Sequence, residues 1–193
     1  MSRPFYSDMT PGTSKSNYVF FCSTLWYNDE YNKNDSEVNA RRASFIRACK
    51  EIDGVNFEGG FVAQQGRSST ELFRDCLSMS SYPYSQWLQK TKESAVVFNT
   101  PAFWNCHGWK LGEYLALGKA IISTPLSNDL PTPLTHGNSI HFVENDKESI
   151  KEAIHYIISH PGYKAQLEKG AREYWDKYGA PEKSLELMGI YKQ

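Results

Sequence analysis

The stretch that decides the fold is residues 98–124, FNTPAFWNCHGWKLGEYLALGKAIIST. Residues 94–99, SAVVFN, contain an apolar run without alternation, which is typical of a strand buried on both faces of a parallel sheet. Residues 108–117 predict a helix that ends at Gly118, since glycine tolerates the left-handed backbone found just past a helix end. Residues 120–124 predict the next strand. A strand, a loop, a helix and a second strand form one unit of a parallel α/β sheet.

The same alternation extends outward along the chain. It predicts strands at 18–22, 55–61, 94–99, 120–124 and 139–143, and helices at 38–52, 84–92, 108–117, 146–159, 163–178 and, as a short one, 181–188. Residues 62–82 are polar and are expected to be irregular. The sequence therefore predicts an α/β, Rossmann-like parallel sheet with helices on both faces, and ligands at the carboxyl ends of its strands.

Length and composition limit the functions to consider. The 193 residues suffice for one α/β domain, expected over residues 18–193. Residues 1–17 lack periodicity and are interpreted as an irregular arm or linker. With 21 Lys and Arg against 22 Asp and Glu, the net charge of −1 offers no field for nucleic acid. The four cysteines show no metal-binding spacing. Apolar runs are strand-length and the amino end is polar, so we expect a cytoplasmic protein.

The loop before the 108–117 helix is a candidate anion site. Backbone N–H groups of His107, Gly108 and Trp109 would point outward at a helix N-terminus, where the dipole favours a negative charge. Gly108 would permit close approach of a ligand, and Lys110 in the first turn could add a full positive charge. A diphosphate fits this description. Glycine-containing strand–loop–helix junctions are also common as ordinary structure, and that alternative stays open.

Several residues of this segment resemble a known family. Gly108, then EYLALGKAIIST at 113–124, then THGNSIHFV at 135–143, resemble the donor-binding signature of GT-B glycosyltransferases of the group 1 and group 4 type. The match covers residues 18–178 and is strongest over 94–161. It implies the C-terminal, nucleotide-sugar-binding half of a two-domain enzyme.

The resemblance also implies roles for individual residues. In that family two glutamates eight positions apart contact the donor, the second of them at the ribose hydroxyls. Glu113 matches the second, and Asn105 stands where the first is usual; an amide can still hydrogen-bond to sugar hydroxyls. Glu113 also lies about 1.4 turns beyond Gly108, close to the helix N-terminus. Arg42, chosen over its neighbours Arg41 and Arg47, resembles the basic residues that face the diphosphate.

Three further side chains near the site have two interpretations each. His107 could hydrogen-bond to a phosphate or cap the loop. Trp104 and Trp109 could stack on a base or a sugar, although packing against the sheet is the commoner fate of such residues.

The resemblance implies transfer of a sugar from a nucleotide diphosphate sugar to a hydroxyl acceptor, without a metal or other cofactor. The acceptor site would come from an N-terminal domain or a separate subunit, so we expect this chain to be inactive alone, whether as a fragment, a donor-binding subunit or a stand-alone binder. The setting implied is polysaccharide assembly, with peripheral membrane association through the acceptor. The alternative is a non-catalytic nucleotide-binding or protein-interaction module. A dinucleotide site is disfavoured because no GxGxxG follows the first strand.

Overall fold

The computed structural model describes residues 9–26, 35–63, 71–102 and 105–189. Trp104, the first eight residues of the predicted arm and most of the polar loop after the first strand lie outside these ranges.

Strands and helices alternate along the described chain. The strands are β1 (Tyr18–Thr24), β2 (Asn56–Val62), β3 (Val97–Asn99), β4 (Ile121–Ser123) and β5 (His141–Phe142). The α-helices are α1 (Asp35–Glu51), α2 (Tyr84–Glu93), α3 (Trp109–Ala116), α4 (Lys147–Ser159), α5 (Pro161–Tyr174) and α6 (Pro181–Leu187). A π-helical turn, Trp175–Gly179, joins α5 to α6. The predicted elements are all present, with ends that differ by a few residues.

Every strand pair is parallel, but the strands form two sheets rather than one. β1 pairs with β2, and β4 lies between β3 and β5. The two sheets meet where Ala95 N–H donates to the Tyr18 carbonyl at 2.6 Å. Beside it, the buried hydroxyl of Ser94 accepts from Phe20 N–H at 2.8 Å and donates to the Val96 carbonyl at 2.6 Å. The Ser94 side chain thus replaces part of the backbone hydrogen bonding between β1 and the β3 side. Across the two sheets the strands follow the order 2-1-3-4-5.

The core divides into two layers, one on each face of the strands. Alternate residues of one strand enter different layers: Phe98 packs with α1 and α4, whereas Val97 packs with α3 and α5. Likewise Ile122 belongs to the first layer and Ile121 to the second. Every residue of β3 and β4 is buried, and apart from Asn99 and Ser123 at their carboxyl ends these strands are apolar. The predicted fold class, a parallel α/β arrangement with helices on both faces, is confirmed.

The segment after β2 is more ordered than the sequence indicated. Residues 71–76, expected to be irregular, form 3₁₀-helical turns that bury Phe73 and Cys76. This segment can approach closely because Gly60 has φ +131° and a Cβ there would lie 2.4 Å from the Cys76 carbonyl oxygen. The prediction of an irregular 62–82 segment is therefore wrong for these six residues, whose polar composition concealed a short helix with two buried positions.

The described part of the amino-terminal arm lies against the domain. Residues 9–17 contain no helix or strand, and Met9 is buried in the layer formed with α3 and α5. Lys15 pairs with Glu93 at the end of α2 at 2.5 Å, and the Ser14 hydroxyl donates to Glu168 on α5 at 3.1 Å. Whether the arm leads to another domain stays a prediction.

Candidate functional site

A cavity of about 500 Å³ opens at the carboxyl ends of β1 and β3. These strands are neighbours, yet the chain leaves β1 toward β2 on one side and later returns to β3 on the other. Such a reversal is the position at which open α/β sheets bind ligands. The floor is formed by the ends of both strands, with Cys22 and Thr24 from β1 and Asn99 just across from them on β3.

One wall of the cavity is charged. Arg42 on α1 is 9% exposed and Glu113 on α3 is 4% exposed, although both side chains line the cavity. Lys110, one turn before Glu113, lines it as well. α3 starts directly after the loop that follows β3, so its first turn reaches the cavity that Arg42, in the first half of α1, also lines. Two cations and one carboxylate, from elements far apart in sequence, therefore converge on one space.

The arginines of α1 divide as the sequence argument expected. Arg41 pairs with Glu37 one turn earlier at 3.1 Å. Arg47 forms a bidentate pair with Asp75 at 2.7 and 2.9 Å on the outside of the helix. Of these three, Arg42 is the one in the cavity wall, and helix periodicity explains why its neighbours face elsewhere.

The Lys110 side chain differs from the simplest expectation, which was a charge at the helix N-terminus. Its ammonium turns back toward β1, where it donates to the Cys22 carbonyl and lies 4.5 Å from the centre of the Phe21 ring. Burial of the ammonium and, second, the positive charge of Arg42 lower the pKa of Lys110 to about 7, against opposing contributions from Cys22 and Glu113. Lys110 is thus close to half protonated at neutral pH.

The start of α3 has the backbone geometry of an anion-binding helix end. Gly108 is the N-cap residue, with φ −69° and ψ 147°, and no side chain caps the helix. A Cβ at Gly108 would meet only the Ala102 side chain at 3.7 Å and the Thr100 carbonyl at 3.9 Å, both ordinary contacts. Packing within the protein therefore does not require glycine at position 108. The expected close approach of a ligand is the explanation for this glycine that is left to test.

Two predicted residues lie away from the cavity lining. Asn105 is exposed and has φ +54°, a left-handed conformation that asparagine tolerates better than most residues. Its carbonyl accepts hydrogen bonds from Ser127 and Asn128. His107 is half-buried, and its buried Nε2 has no hydrogen-bond partner among the described residues. The backbone requirement is enough to account for an asparagine at 105, and the donor-binding roles of both residues stay predictions.

A second part of the lining is aromatic, and the sequence argument missed it. Tyr82 just before α2 and Tyr84 and Trp87 in its first turn line the cavity, as does Trp109, which is 59% exposed. Tyr84, Trp87 and Tyr114 form a stack with centroid separations of 5.9 and 6.5 Å. The signal was present as YPYSQW at residues 82–87. It was overlooked because this segment had been assigned partly to an irregular stretch.

Two further properties concern metals and membranes. Within residues 9–26, 35–63, 71–102 and 105–189, no cluster of three or more His, Cys, Asp or Glu side chains could hold a metal ion. No helix in those ranges has both the length and the apolar character needed to cross a membrane.

Comparison with known proteins identifies the fold. No family model and no curated protein sequence matches the chain. Among solved structures it is similar to sucrose-phosphate synthase from Thermosynechococcus elongatus, with a TM-score of 0.67 and 16% identity over 89% of this chain and 43% of that one. Anabaena HepE in complex with UDP gives 0.60 and 12% over 91% and 49%.

A third similar structure has nearly the same extent as this chain. It is the C-terminal domain of the group 1 glycosyltransferase LpcC from Francisella tularensis, with a TM-score of 0.55 and 13% identity over 89% of this chain and 88% of that domain. The chain spans less than half the length of the two larger proteins.

Proposed function

Since the chain has the glycosyltransferase-like fold of a GT-B C-terminal half, we propose that it binds the nucleotide diphosphate part of a nucleotide sugar in the cavity between β1 and β3. The observation that supports this most is the convergence of Arg42, Lys110 and Glu113 on that cavity. A diphosphate attached to a ribose would use all three.

Each charged residue has a role that follows from its chemistry. Arg42 presents a planar fork of donors suited to phosphate oxygens, and Lys110 adds a compact second charge. The N–H groups at the start of α3 add donors with no charge of their own. The Glu113 carboxylate can only accept hydrogen bonds when ionised, which suits the two ribose hydroxyls. When the sugar departs, the same cations would stabilise the charge that develops on the diphosphate.

The rest of the enzyme is part of the same proposal. The relevant structural neighbours are about twice as long as this chain, so the acceptor site is assigned to an N-terminal domain or a partner subunit. We expect this chain to bind donor without turning it over, and without a metal. Transfer to a hydroxyl acceptor in cytoplasmic polysaccharide assembly, at a membrane that holds the acceptor, is the setting proposed.

Isothermal titration calorimetry of the purified chain with UDP, GDP and ADP tests the binding site. One of these nucleotides should bind, and Glu113→Gln or Arg42→Gln should weaken its binding at least about tenfold, since a hydrogen bond to a charged group contributes about 1.5–3 kcal/mol. Two matched controls lie outside the cavity: Glu152→Gln on the exposed face of α4 and Arg47→Gln on α1. Neither should change the dissociation constant.

The alternative, a protein-interaction module, predicts a different result. If the wild-type chain binds none of the three nucleotides at millimolar concentration, the donor-binding proposal fails. If it binds one of them equally well after Glu113→Gln and Arg42→Gln, the nucleotide site lies elsewhere.

A further inference from the structure

The cavity lining has two unlike parts, and the proposed function uses only one of them. The charged wall of Arg42, Lys110 and Glu113 suits a diphosphate and a ribose. The aromatic part of the lining, formed by Tyr82, Tyr84 and Trp87, carries no positive charge for a phosphate. A nucleotide also contains a planar base. Aromatic side chains can stack on the face of any base, whatever hydrogen-bonding groups its edge carries.

Among these three aromatic residues, Tyr82 is held in place by residues that do not line the cavity. Its hydroxyl donates to Glu58 at 3.1 Å, and its ring contacts Phe20 edge-on at a centroid separation of 5.1 Å. Glu58 also accepts a hydrogen bond from the Tyr18 hydroxyl at 2.6 Å and pairs with the Lys90 ammonium at 2.9 Å. The Lys90 ammonium lies 5.6 Å from the centre of the Tyr82 ring. Three donors from separate elements thus meet at one carboxylate on β2.

The charge state of Glu58 makes this arrangement stable. Burial opposes ionisation, but hydrogen bonds from Tyr18, Lys90 and Tyr82 outweigh it, so the pKa of Glu58 is lowered from its ordinary value. The carboxylate is therefore charged at neutral pH and holds the phenol in one orientation. Fixing a half-exposed aromatic ring before a ligand arrives reduces the entropy lost on binding.

We propose that the base of the bound nucleotide stacks on Tyr82, and that Glu58 is the positioning residue that holds this ring in place. This inference rests on the proposed function, because it names the part of the ligand that the aromatic part of the lining receives. The Tyr82 hydroxyl is engaged by Glu58, so it does not read the edge of the base. Tyr82 therefore contributes affinity to every nucleotide alike, and the choice among bases comes from other groups.

The test compares ligands with and without a base. Titration calorimetry measures the dissociation constants of UDP, GDP and ADP, and displacement of the best nucleotide measures that of inorganic diphosphate. Tyr82→Ala should weaken all three nucleotides by a similar factor, about 5- to 100-fold, and leave diphosphate unchanged. Lys110→Ala should weaken nucleotides and diphosphate together. Tyr156→Ala, an exposed tyrosine on α4, is the control and should change neither.

The role of Glu58 is tested by a double-mutant cycle. Glu58→Leu and Tyr82→Phe each keep the ring but remove the hydrogen bond that holds it, so each should weaken nucleotides about two- to fivefold and spare diphosphate. The double variant should be no weaker than either single variant, because both remove the same interaction. Thermal melts of each variant establish that it is folded.

Three outcomes contradict the proposal in distinguishable ways. If Tyr82→Ala leaves nucleotide affinity unchanged, the base does not stack there. If it weakens diphosphate as much as nucleotides, Tyr82 acts through the structure of the whole cavity. If the wild-type chain binds neither nucleotide nor diphosphate, the proposed function fails, and this inference with it.

Discussion

Binding of a nucleotide sugar should take up a proton at Lys110. The pKa of this lysine is about 7, against an ordinary value of 10.5. A diphosphate beside the ammonium stabilises its charged form, so the pKa in the complex should return toward the ordinary range. Only the protonated form pairs with the ligand. Affinity should therefore be highest below pH 7 and should fall as the pH rises through 7.

The magnitude follows from the fraction of Lys110 that is protonated before binding. With a pKa of about 7 that fraction is about 0.9 at pH 6 and about 0.1 at pH 8, so the dissociation constant should rise about tenfold over this interval. Proton uptake per ligand should be about 0.1 at pH 6 and about 0.9 at pH 8. Burial raises the pKa of the neighbouring Cys22 thiol, so Cys22 stays neutral across this range.

The assay is calorimetry in buffers with different ionisation enthalpies, because the slope of observed heat against buffer enthalpy counts the protons taken up. The titrant should be a nucleotide diphosphate sugar, since the terminal phosphate of a free nucleoside diphosphate itself titrates near pH 6. Lys110→Arg keeps its charge at every pH and should flatten the profile. The exposed Lys169→Met variant should retain it. A wild-type affinity that is constant from pH 6 to 8, or an unchanged slope in Lys110→Arg, would refute the reasoning.

Three further predictions concern single residues. In Gly170→Ala the new Cβ meets the Asn138 carbonyl oxygen at 2.2 Å, so thermal melts should show a loss of about 3 kcal/mol in the free energy of unfolding. Gly162→Ala in the same helix meets nothing within 4 Å and should gain up to about 1 kcal/mol. Equal melting temperatures for the two variants would be inconsistent with this prediction. Gly108→Ala should melt like the wild type yet bind nucleotide about fivefold more weakly or worse, and unchanged binding would show that no ligand approaches that backbone. Burial, and then the neighbouring imidazole of His136, lower the pKa of His141 to about 4. On acidification the unfolded chain therefore binds this proton first, and the free energy of unfolding should fall as the pH drops from 6.5 to 4. His141→Phe should lose less stability over that pH range, and identical pH profiles would disprove the prediction.

The order of strands and helices was predictable because it depends on local periodicity. Residues 95–98 and 120–122 are apolar in every position, which is the pattern of a strand buried on both faces. Arg42 could also be chosen over its neighbours, since it shares the apolar helix face of Val38 and Ile46, each one turn away. The family resemblance added Glu113, which local pattern alone left as one of many helical glutamates.

The arrangement of side chains in the cavity was not predictable in the same way. Lys110 contacts the carbonyl of Cys22, which is 88 residues away in the sequence. Tyr82 donates to Glu58 on β2, which in turn accepts from Tyr18 on β1. Contacts of this kind depend on how the elements pack, and no periodicity records them. Asn105 shows the converse, because a residue chosen for its chemistry has a simpler explanation in a backbone angle of φ +54°.

The division of the strands into two sheets explains why the cavity is where it is. The hydrogen bonds that join β1 to the β3 side involve Tyr18 and Phe20, at the amino end of β1. Cys22, further along the same strand, lines the cavity, and its carbonyl accepts from the Lys110 ammonium. In a continuous ladder such a carbonyl would be available to a neighbouring strand; here it is satisfied by a side chain that a ligand can draw away. A diphosphate that attracts Lys110 must then leave the Cys22 carbonyl to water or to the ligand, and part of the binding energy offsets that loss. The pH dependence predicted above therefore reports the transfer of the Lys110 ammonium from the Cys22 carbonyl, at the boundary between the sheets, to the diphosphate in the proposed site.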